Sequence, residues 1–136
     1  MHLIIQNNMT ELDRVRDALT NALQGHCDRL EINRIILAVD EALSNILEHA
    51  YPPESCETVE MSVELADARI TVMLKDRGNF FDPTQMTPVN TAEEARNNHD
   101  GGLGVFLFTT LMEVSHQARP NGGNILTMSR QLSPCD

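Results

Sequence analysis

Between residues 32 and 50, apolar side chains recur at spacings of three and four, which is the period of an amphipathic α-helix. Asp28 is suited to cap the start of this helix, and Pro52 prevents its continuation beyond about Tyr51. The pattern therefore predicts one long helix with a broad face buried in a core. The buried stripe consists of Ile32, Ile35, Ile36, Val39, Leu43, Ile46, Leu47 and Ala50.

The opposite side of this helix carries Glu41, Asn45 and His49, which are spaced four residues apart and therefore stack in a row. The simplest interpretation of such a row is the solvated face of a surface helix. Asn is a weak helix former because its amide competes for backbone groups, so its position in mid-helix favours another role. The helix alone does not decide between these interpretations.

The other patterns predict a mixture of helices and strands. Residues 3–5 form a short strand, and residues 11–23 form a helix with Thr10 as its N-cap. Alternating apolar positions predict two paired strands at 59–65 and 70–74. A last helix is expected at 105–112, and strand-like stretches at 113–118 and 125–130 are joined into a final hairpin by the turn signal at 120–124. We expect an α+β fold, with residues 1–136 forming one domain of two layers and helices on one face of a mostly antiparallel sheet.

The composition fits a globular protein of one domain, with 41% apolar and 22% charged residues. No apolar run reaches the roughly 20 residues of a membrane span, and no signal peptide is recognisable. The three widely spaced cysteines indicate free thiols in a reducing compartment. We therefore expect a cytoplasmic protein that does not enter a membrane.

The formal net charge of −10 argues against a nucleic-acid partner, since no local basic patch offsets it. An anionic ligand would need backbone amides, a helix N-terminus or a metal ion. No residue pair has the spacing of a zinc site. The chain also lacks the phosphate-loop pattern GxxxxGK[ST], a Rossmann glycine motif and the nucleophile motif GxSxG.

Two glycine-containing segments flank a stretch without regular pattern. Asp76 ends a predicted strand and Gly78 follows it, which allows a turn or a close approach of the backbone to a ligand. Residues 77–100 then form a long loop, which is typical of a lid, a binding loop or disorder. Gly101-Gly102-Leu103-Gly104 leads directly into the last helix, where a phosphate could approach backbone N–H groups. Each segment alone is most simply a turn.

The ordered combination of these segments resembles the GHKL ATPase superfamily, which includes histidine-kinase catalytic domains, gyrase-type ATPases and anti-sigma-factor serine kinases. The likeness spans about residues 10–130 and is greatest to the last group, the bacterial partner-switching kinases. It implies the GHKL, or Bergerat, ATP-binding fold. The matching segments are DEALSN at 40–45, HAYP at 49–52, DRG at 76–78, FDP at 81–83, GGLGVFL at 101–107 and GGNILT at 122–127.

The resemblance implies catalytic roles for the polar row of the long helix. Asn45 would coordinate Mg²⁺ between the phosphates of ATP through its amide oxygen, a hard ligand that suits this ion. Glu41 would be the general base that accepts the proton of an attacking hydroxyl. His49 would take a supporting position near the cofactor.

The resemblance also assigns the nucleotide contacts. Asp76 would accept a hydrogen bond from the adenine amino group, Gly78 would leave room for the base, and Thr127 would support the adenine pocket. Backbone amides of Gly101, Gly102, Leu103 and Gly104 would contact phosphates, and residues 81–100 would close as a lid. Phe80 replaces the second glycine that the superfamily usually has, so we expect it to pack against the adenine or to narrow the pocket.

The implied function is an ATP-dependent serine/threonine protein kinase and anti-sigma factor that phosphorylates a small anti-sigma-factor antagonist and binds a sigma factor. The alternative is an ATP-binding regulatory or anti-sigma module of the same fold without significant kinase activity. Family members typically form homodimers through the first strand and helix, here residues 3–23. Arg14 and Arg16 are then either partner contacts or solvated helix charges.

Overall fold

The computed structural model of the chain describes residues 1–49, 51, 56–85 and 102–133. The predicted helices and strands are confirmed. They are β1 (His2–Gln6), α1 (Glu11–Leu23), α2 (Arg29–His49), β2 (Thr58–Ala66), β3 (Arg69–Asp76), a short 3₁₀ turn (Pro83–Gln85), α3 (Gly102–Leu111), β4 (Glu113–Ala118) and β5 (Asn124–Gln131). Most of the predicted lid, residues 86–100, lies outside the described residues, as does Gly101.

The five strands form one sheet in the order β1-β2-β3-β5-β4, and every neighbouring pair is antiparallel. Alternate side chains of β2, β3 and β5 are buried, while those between them are more exposed. The helices cover the buried face, with α2 packed against both α1 and α3. The predicted two-layer α+β fold is therefore confirmed.

The order of the strands in the sheet decides which strand ends lie side by side. β3 and β5 are neighbours although α3 and β4 separate them in sequence, and their register places Asp76 directly opposite Asn124. Asp76 is the last residue of β3 and Asn124 is the first of β5. This pairing brings two polar side chains together at one end of the sheet, under the helical layer.

The starts of the first two helices are capped differently. Asp28 caps α2 as predicted, because its side-chain oxygen accepts a hydrogen bond from the Glu31 N–H at 2.8 Å. The predicted Thr10 cap of α1 is wrong. Thr10 already has helical backbone angles and makes no side-chain cap, since its hydroxyl donates to the Asn8 side chain instead.

A buried ion pair joins the first turn of α2 to the last strand. Glu31 is fully buried and accepts hydrogen bonds from the Arg130 guanidinium at 3.0 Å and from the Ser133 N–H at 2.9 Å. Arg130 also donates to the carbonyl of Leu111, the last residue of α3. Burial alone would raise the pKa of Glu31, but the hydrogen bonds and charge of Arg130 outweigh it and lower the pKa.

β1 is one free edge of the sheet. Met1 and Val63 exchange both backbone hydrogen bonds, so in this antiparallel pair the N–H and carbonyl of Ile4 point away from β2. Arg14 donates to that Ile4 carbonyl and to the side chain of Glu11. Arg14 is therefore engaged within its own chain.

Arg16 is also engaged within the chain. Its guanidinium contacts both carboxylate oxygens of Asp40 on α2, at 2.8 and 3.2 Å, and reaches Asp13 at 2.9 Å. Its role includes tying α1 to α2 beside Glu41.

The described part of the chain contains no helix that is both long and apolar enough to cross a membrane. Cys27 is buried and Cys56 is exposed. Cys135 lies outside the described residues.

Candidate functional site

A narrow pocket lies between α2, α3 and the sheet, at the end where β3 stops and β5 begins. Its cavity volume is about 20 Å³. The pocket is therefore a narrow slot, with a mainly apolar wall and a few polar groups. It is lined by Ala42, Asn45, Ile46, Asp76, Phe81, Pro83, Phe108, His116, Asn124 and Leu126.

Asp76 forms the polar floor of this pocket and is 2% exposed. Its Oδ1 accepts hydrogen bonds from the Gly78 N–H at 2.9 Å and from the Asn124 amide at 3.0 Å. Among the described residues both of these donors use Oδ1, which leaves Oδ2 to accept a hydrogen bond from a ligand. Gly78 thus lies beside Asp76, which lines the slot.

Asn124 is a site residue that the sequence reasoning missed. Its Nδ2 group donates to Asp76 Oδ1 at 3.0 Å and to the carbonyl of Asn79 at 2.9 Å. Its Oδ1 accepts from the Phe81 N–H at 3.1 Å and lies 2.7 Å from His116 Nε2. Because these four contacts use both amide hydrogens and the amide oxygen, Asn124 is an internal support and not a ligand contact.

Thr127 does not take the position predicted for it. In β5, Asn124, Leu126 and Met128 are buried toward the helices, so Thr127 belongs to the opposite face of the sheet. The prediction that Thr127 supports the pocket is wrong, and Asn124 has that place. The sequence contained a signal for this arrangement. Leu126 and Met128 are apolar and alternate along the strand, so they indicate its buried face, and Asn124 lies on the same face by the same alternation.

His116 also lines the pocket without having been predicted. Its side chain is 4% exposed, and its Nδ1 lies 3.6 Å from the Asp82 carboxylate. Phe80 is 69% exposed and packs edge-on against the His116 ring. Phe80 therefore covers a wall residue from outside, and it is Phe81 that lines the slot.

The turn before β5 approaches Asp76 closely. Gly123 has a φ of +109°, and a Cβ at this position would lie 2.1 Å from the Asp76 carbonyl oxygen. Arg119 donates to the same carbonyl at 3.1 Å. Both features hold the backbone at the end of β3, so glycine is required at 123 by conformation and by space.

Tyr51 connects the end of the long helix to this backbone. Its hydroxyl accepts a hydrogen bond from the Arg77 N–H at 2.6 Å and donates to the Thr58 carbonyl at 3.2 Å. Burial raises the pKa of Tyr51, so the phenol remains protonated and able to donate. This hydrogen bond also fixes the backbone of Arg77, the residue after Asp76.

Glu41 and Asn45 lie one helical turn apart on α2 and are both half-buried. Asn45 lines the slot, while the Glu41 carboxylate lies against Gly104 in the first turn of α3. A Cβ at Gly104 would lie 2.8 Å from Glu41 Oε2. Burial, and then the charges of Asp40 and Glu48, raise the pKa of Glu41.

A sequence profile described as the histidine kinase-like ATPase domain matches residues 5–130. The chain belongs to this ATPase family. The resemblance to GHKL proteins is thus confirmed, and the slot with its buried aspartate lies within the matched region.

Curated relatives place the chain in the serine-kinase branch of this family. It is 34% identical to the serine-protein kinase RsbW of Bacillus pumilus, over 76% of this chain and 67% of the relative. It is 30% identical to RsbW of Halalkalibacterium halodurans, over 75% of this chain and 64% of the relative. The serine/threonine-protein kinase BtrW of Bordetella bronchiseptica is 28% identical, over 74% of this chain and 70% of the relative. The matches thus span about two thirds of each relative's length.

A solved structure shows the same fold. The histidine kinase domain of a blue-light activated kinase from Erythrobacter litoralis matches with a TM-score of 0.56 at 19% identity. The match covers 91% of this chain and 60% of that structure. It supports the ATPase fold independently of sequence similarity.

The chemistry of the residues that line the slot fits an ATP-type ligand of this family, and the walls must move apart to admit a base because the cavity volume is only about 20 Å³. One buried carboxylate in a mainly apolar pocket suits a base that carries an amino group. The Asn45 amide suits Mg²⁺, which usually takes few protein ligands and completes its shell with phosphate and water. Among the described residues no group of three His, Cys, Asp or Glu side chains could form a metal centre alone.

The remaining predicted phosphate contacts are only partly described. Gly102 and Leu103 begin α3 and Gly104 is its third residue, so their N–H groups belong to a helix start without intrahelical partners. His49 ends α2, and the position of its side chain lies outside the description, as does Gly101.

Proposed function

We propose that this chain is an ATP-dependent serine/threonine protein kinase and anti-sigma factor that phosphorylates a small anti-sigma-factor antagonist. The observation that carries the proposal is the position of Glu41 one helical turn before Asn45, which lines the slot, with the Glu41 carboxylate against the first turn of α3. A carboxylate, an amide oxygen and free helical amides are the groups that phosphoryl transfer to a hydroxyl requires.

In this proposal Glu41 is the general base. A serine or threonine hydroxyl of the antagonist would lie within hydrogen-bond distance of its carboxylate, which accepts the hydroxyl proton during transfer. The raised pKa of Glu41 makes it a better proton acceptor than an ordinary carboxylate. Proton abstraction by a half-buried group also limits competition from water.

The phosphate end of the site would be held by Asn45 and by α3. Asn45 would bind Mg²⁺ through its amide oxygen, and the ion would neutralise developing charge on the phosphates. The N–H groups of Gly102, Leu103 and Gly104 would contact the phosphates at the positive end of the helix dipole. Such a site binds an anion without side-chain cations, which suits a chain with a net charge of −10.

Asp76 would bind the adenine ring of the nucleotide. Its Oδ2 would accept a hydrogen bond from the adenine amino group, and Gly78 would leave room for the ring. Residues 81–100 are proposed to act as the lid over the nucleotide, with His49 in a supporting position.

The relatives suggest the partners. RsbW and BtrW are named as protein kinases, and we extend to this chain the family pattern of an antagonist substrate, a sigma-factor partner and a cytoplasmic location. A homodimer through residues 3–23 is part of the same proposal.

Mass spectrometry tests the kinase activity. The protein is mixed with Mg·ATP and with candidate antagonists encoded beside it, and the expected result is a gain of roughly 80 daltons on one antagonist. Glu41→Gln should slow this gain by about a hundredfold or more, to a residual rate that can still be measured, while keeping affinity for Mg·ADP. Asn45→Ala should weaken Mg·ADP binding itself.

Each outcome decides between the proposal and its alternative. Binding of Mg·ADP without transfer to any antagonist would favour an ATP-binding regulatory module of the same fold. Normal transfer by both variants would show that the assignment of the two residues is wrong.

A further inference from the structure

The glycine at position 104 is not required by its backbone. Gly104 is the third residue of α3 and is absent from the residues with positive φ. Glycine in a helix is less favourable than alanine, by about 1 kcal/mol in the free energy of helix formation. The reason for glycine at this position must therefore lie in its surroundings.

What surrounds Gly104 is the Glu41 side chain. The three nearest atoms to a Cβ built at 104 all belong to Glu41, namely Oε2 at 2.8 Å and Cβ and Cδ at 3.8 Å. The carboxylate oxygen is too close for a methyl group, while the other two distances are ordinary contacts. An alanine would therefore displace the carboxylate end of Glu41 and would leave the backbone of α3 in place.

We infer that Gly104 is a positioning residue for Glu41, because the absence of its side chain provides the space in which the carboxylate of the base lies. The inference rests on the proposed function of Glu41 and adds a role for Gly104 besides phosphate contact. The two roles differ in their consequences. Loss of a phosphate contact weakens nucleotide binding, whereas displacement of the base slows transfer from bound nucleotide.

Kinetics of phosphoryl transfer separate these roles. Gly104→Ala should lower kcat at least tenfold while the KM for ATP and the affinity for Mg·ADP change less than threefold. In a Glu41→Gln background, which already lacks the base, the same substitution should produce no further loss. The matched control is Thr110→Ala, which also removes a poor helix former from α3 but at an exposed position.

An unchanged kcat in Gly104→Ala would overturn the inference. So would a rise in KM at constant kcat, or an equal loss of kcat with and without Glu41, because Gly104 would then act without the base.

A second measurement tests the contact between Gly104 and Glu41 without depending on kinase activity. Urea unfolding is compared for the wild type, Gly104→Ala, Glu41→Ala and the double variant. With Glu41 truncated, Gly104→Ala should raise the folding equilibrium constant about fivefold, the usual gain from replacing a helical glycine. With Glu41 present the gain should fall below twofold.

The two measurements keep two possible failures apart. If the wild type transfers phosphate to no antagonist, the proposed kinase function fails but the unfolding comparison still decides the contact. Equal stability gains in both backgrounds would then refute the positioning role of Gly104.

Discussion

Asn124 donates an amide hydrogen to Asp76 Oδ1 across the register of β3 and β5, at 3.0 Å. The two residues face each other as a strand pair at the end of the sheet. The bond fixes the orientation of the carboxylate, whose Oδ2 accepts from neither Gly78 nor Asn124. Asp76, which lines the slot, is therefore supported from within the protein.

Replacing Asn124 tests this support. Asn124→Ala removes four contacts and leaves the partly buried Phe81 N–H and Asn79 carbonyl without their partner. We expect a loss of about 2–3 kcal/mol in the free energy of unfolding and at least a tenfold loss in Mg·ADP affinity by calorimetry. Thr127→Ala, on the other face of the same strand, is the control and should change both quantities little. Equal effects of the two substitutions would contradict the assignment.

Glu41 should reduce the stability of the folded protein at neutral pH. Its pKa is raised in the folded state, by burial first and then by Asp40 and Glu48. Ionisation therefore costs more in the folded than in the unfolded state, and the cost develops as the pH rises through the unfolded pKa. Glu41→Gln should raise the free energy of unfolding at pH 7 by no more than about 0.5 kcal/mol, because solvent partly screens the carboxylate.

Urea unfolding at several pH values checks this sign. The stabilisation by Glu41→Gln should disappear below about pH 4, where Glu41 is protonated in both states. A variant that is less stable than the wild type at pH 7 would show that the ionised carboxylate is favourably held.

Glu31 should have the opposite pH dependence. Its folded-state pKa is lowered, since the hydrogen bonds from Arg130 and Ser133 outweigh burial. Its contribution to stability is present above the ordinary glutamate pKa and is lost as the pH falls through the folded value. Glu31→Gln should cost about 3 kcal/mol at pH 7, because the Arg130 charge loses its buried partner.

The comparison with an exposed glutamate isolates this effect. Glu64 lies on the surface of β2. Glu64→Gln should change the free energy of unfolding by no more than about 0.5 kcal/mol. The difference in the free energy of unfolding between wild type and Glu31→Gln should shrink as the pH falls below about 4.5. A constant difference across that range would mean that the lowered pKa does not contribute.

The two glycines of the last turn provide a matched pair. Gly122 and Gly123 both have positive φ, but a Cβ at 122 meets nothing within 4 Å, whereas one at 123 meets the Asp76 carbonyl. Gly122→Ala should cost about 1 kcal/mol from backbone strain. Gly123→Ala should cost at least about 3 kcal/mol and weaken Mg·ADP binding as well. Thermal unfolding and calorimetry measure both, and similar results for the two variants would count against the close approach.

The helices and strands were predictable because their patterns are local. The stripe of α2 and the alternation in β2 and β3 depend on neighbours within a few residues, and both are confirmed. The α1 cap was missed for a local reason too, since Asn8 competes for the Thr10 hydroxyl.

The site was less predictable because it depends on strand register. Asp76 and Asn124 are 48 residues apart, and no periodicity shows that β5 returns beside β3 with these two residues paired. The placement of His116 in the pocket depends likewise on the register of β4 and β5. The prediction that Thr127 lines the pocket came from the family resemblance alone, and Thr127 lies on the opposite face of its strand.

The engaged edge of β1 has a consequence for how copies of this chain avoid one another in a crowded solution. The Ile4 carbonyl accepts from Arg14 and the Gln6 carbonyl accepts from the Asn8 N–H, so two acceptors of this edge are already taken. An intruding strand would have to displace them before it could extend the sheet. Self-association at this edge would therefore use side chains, and strand-by-strand growth of the sheet is discouraged by Arg14 together with the Asn8 turn.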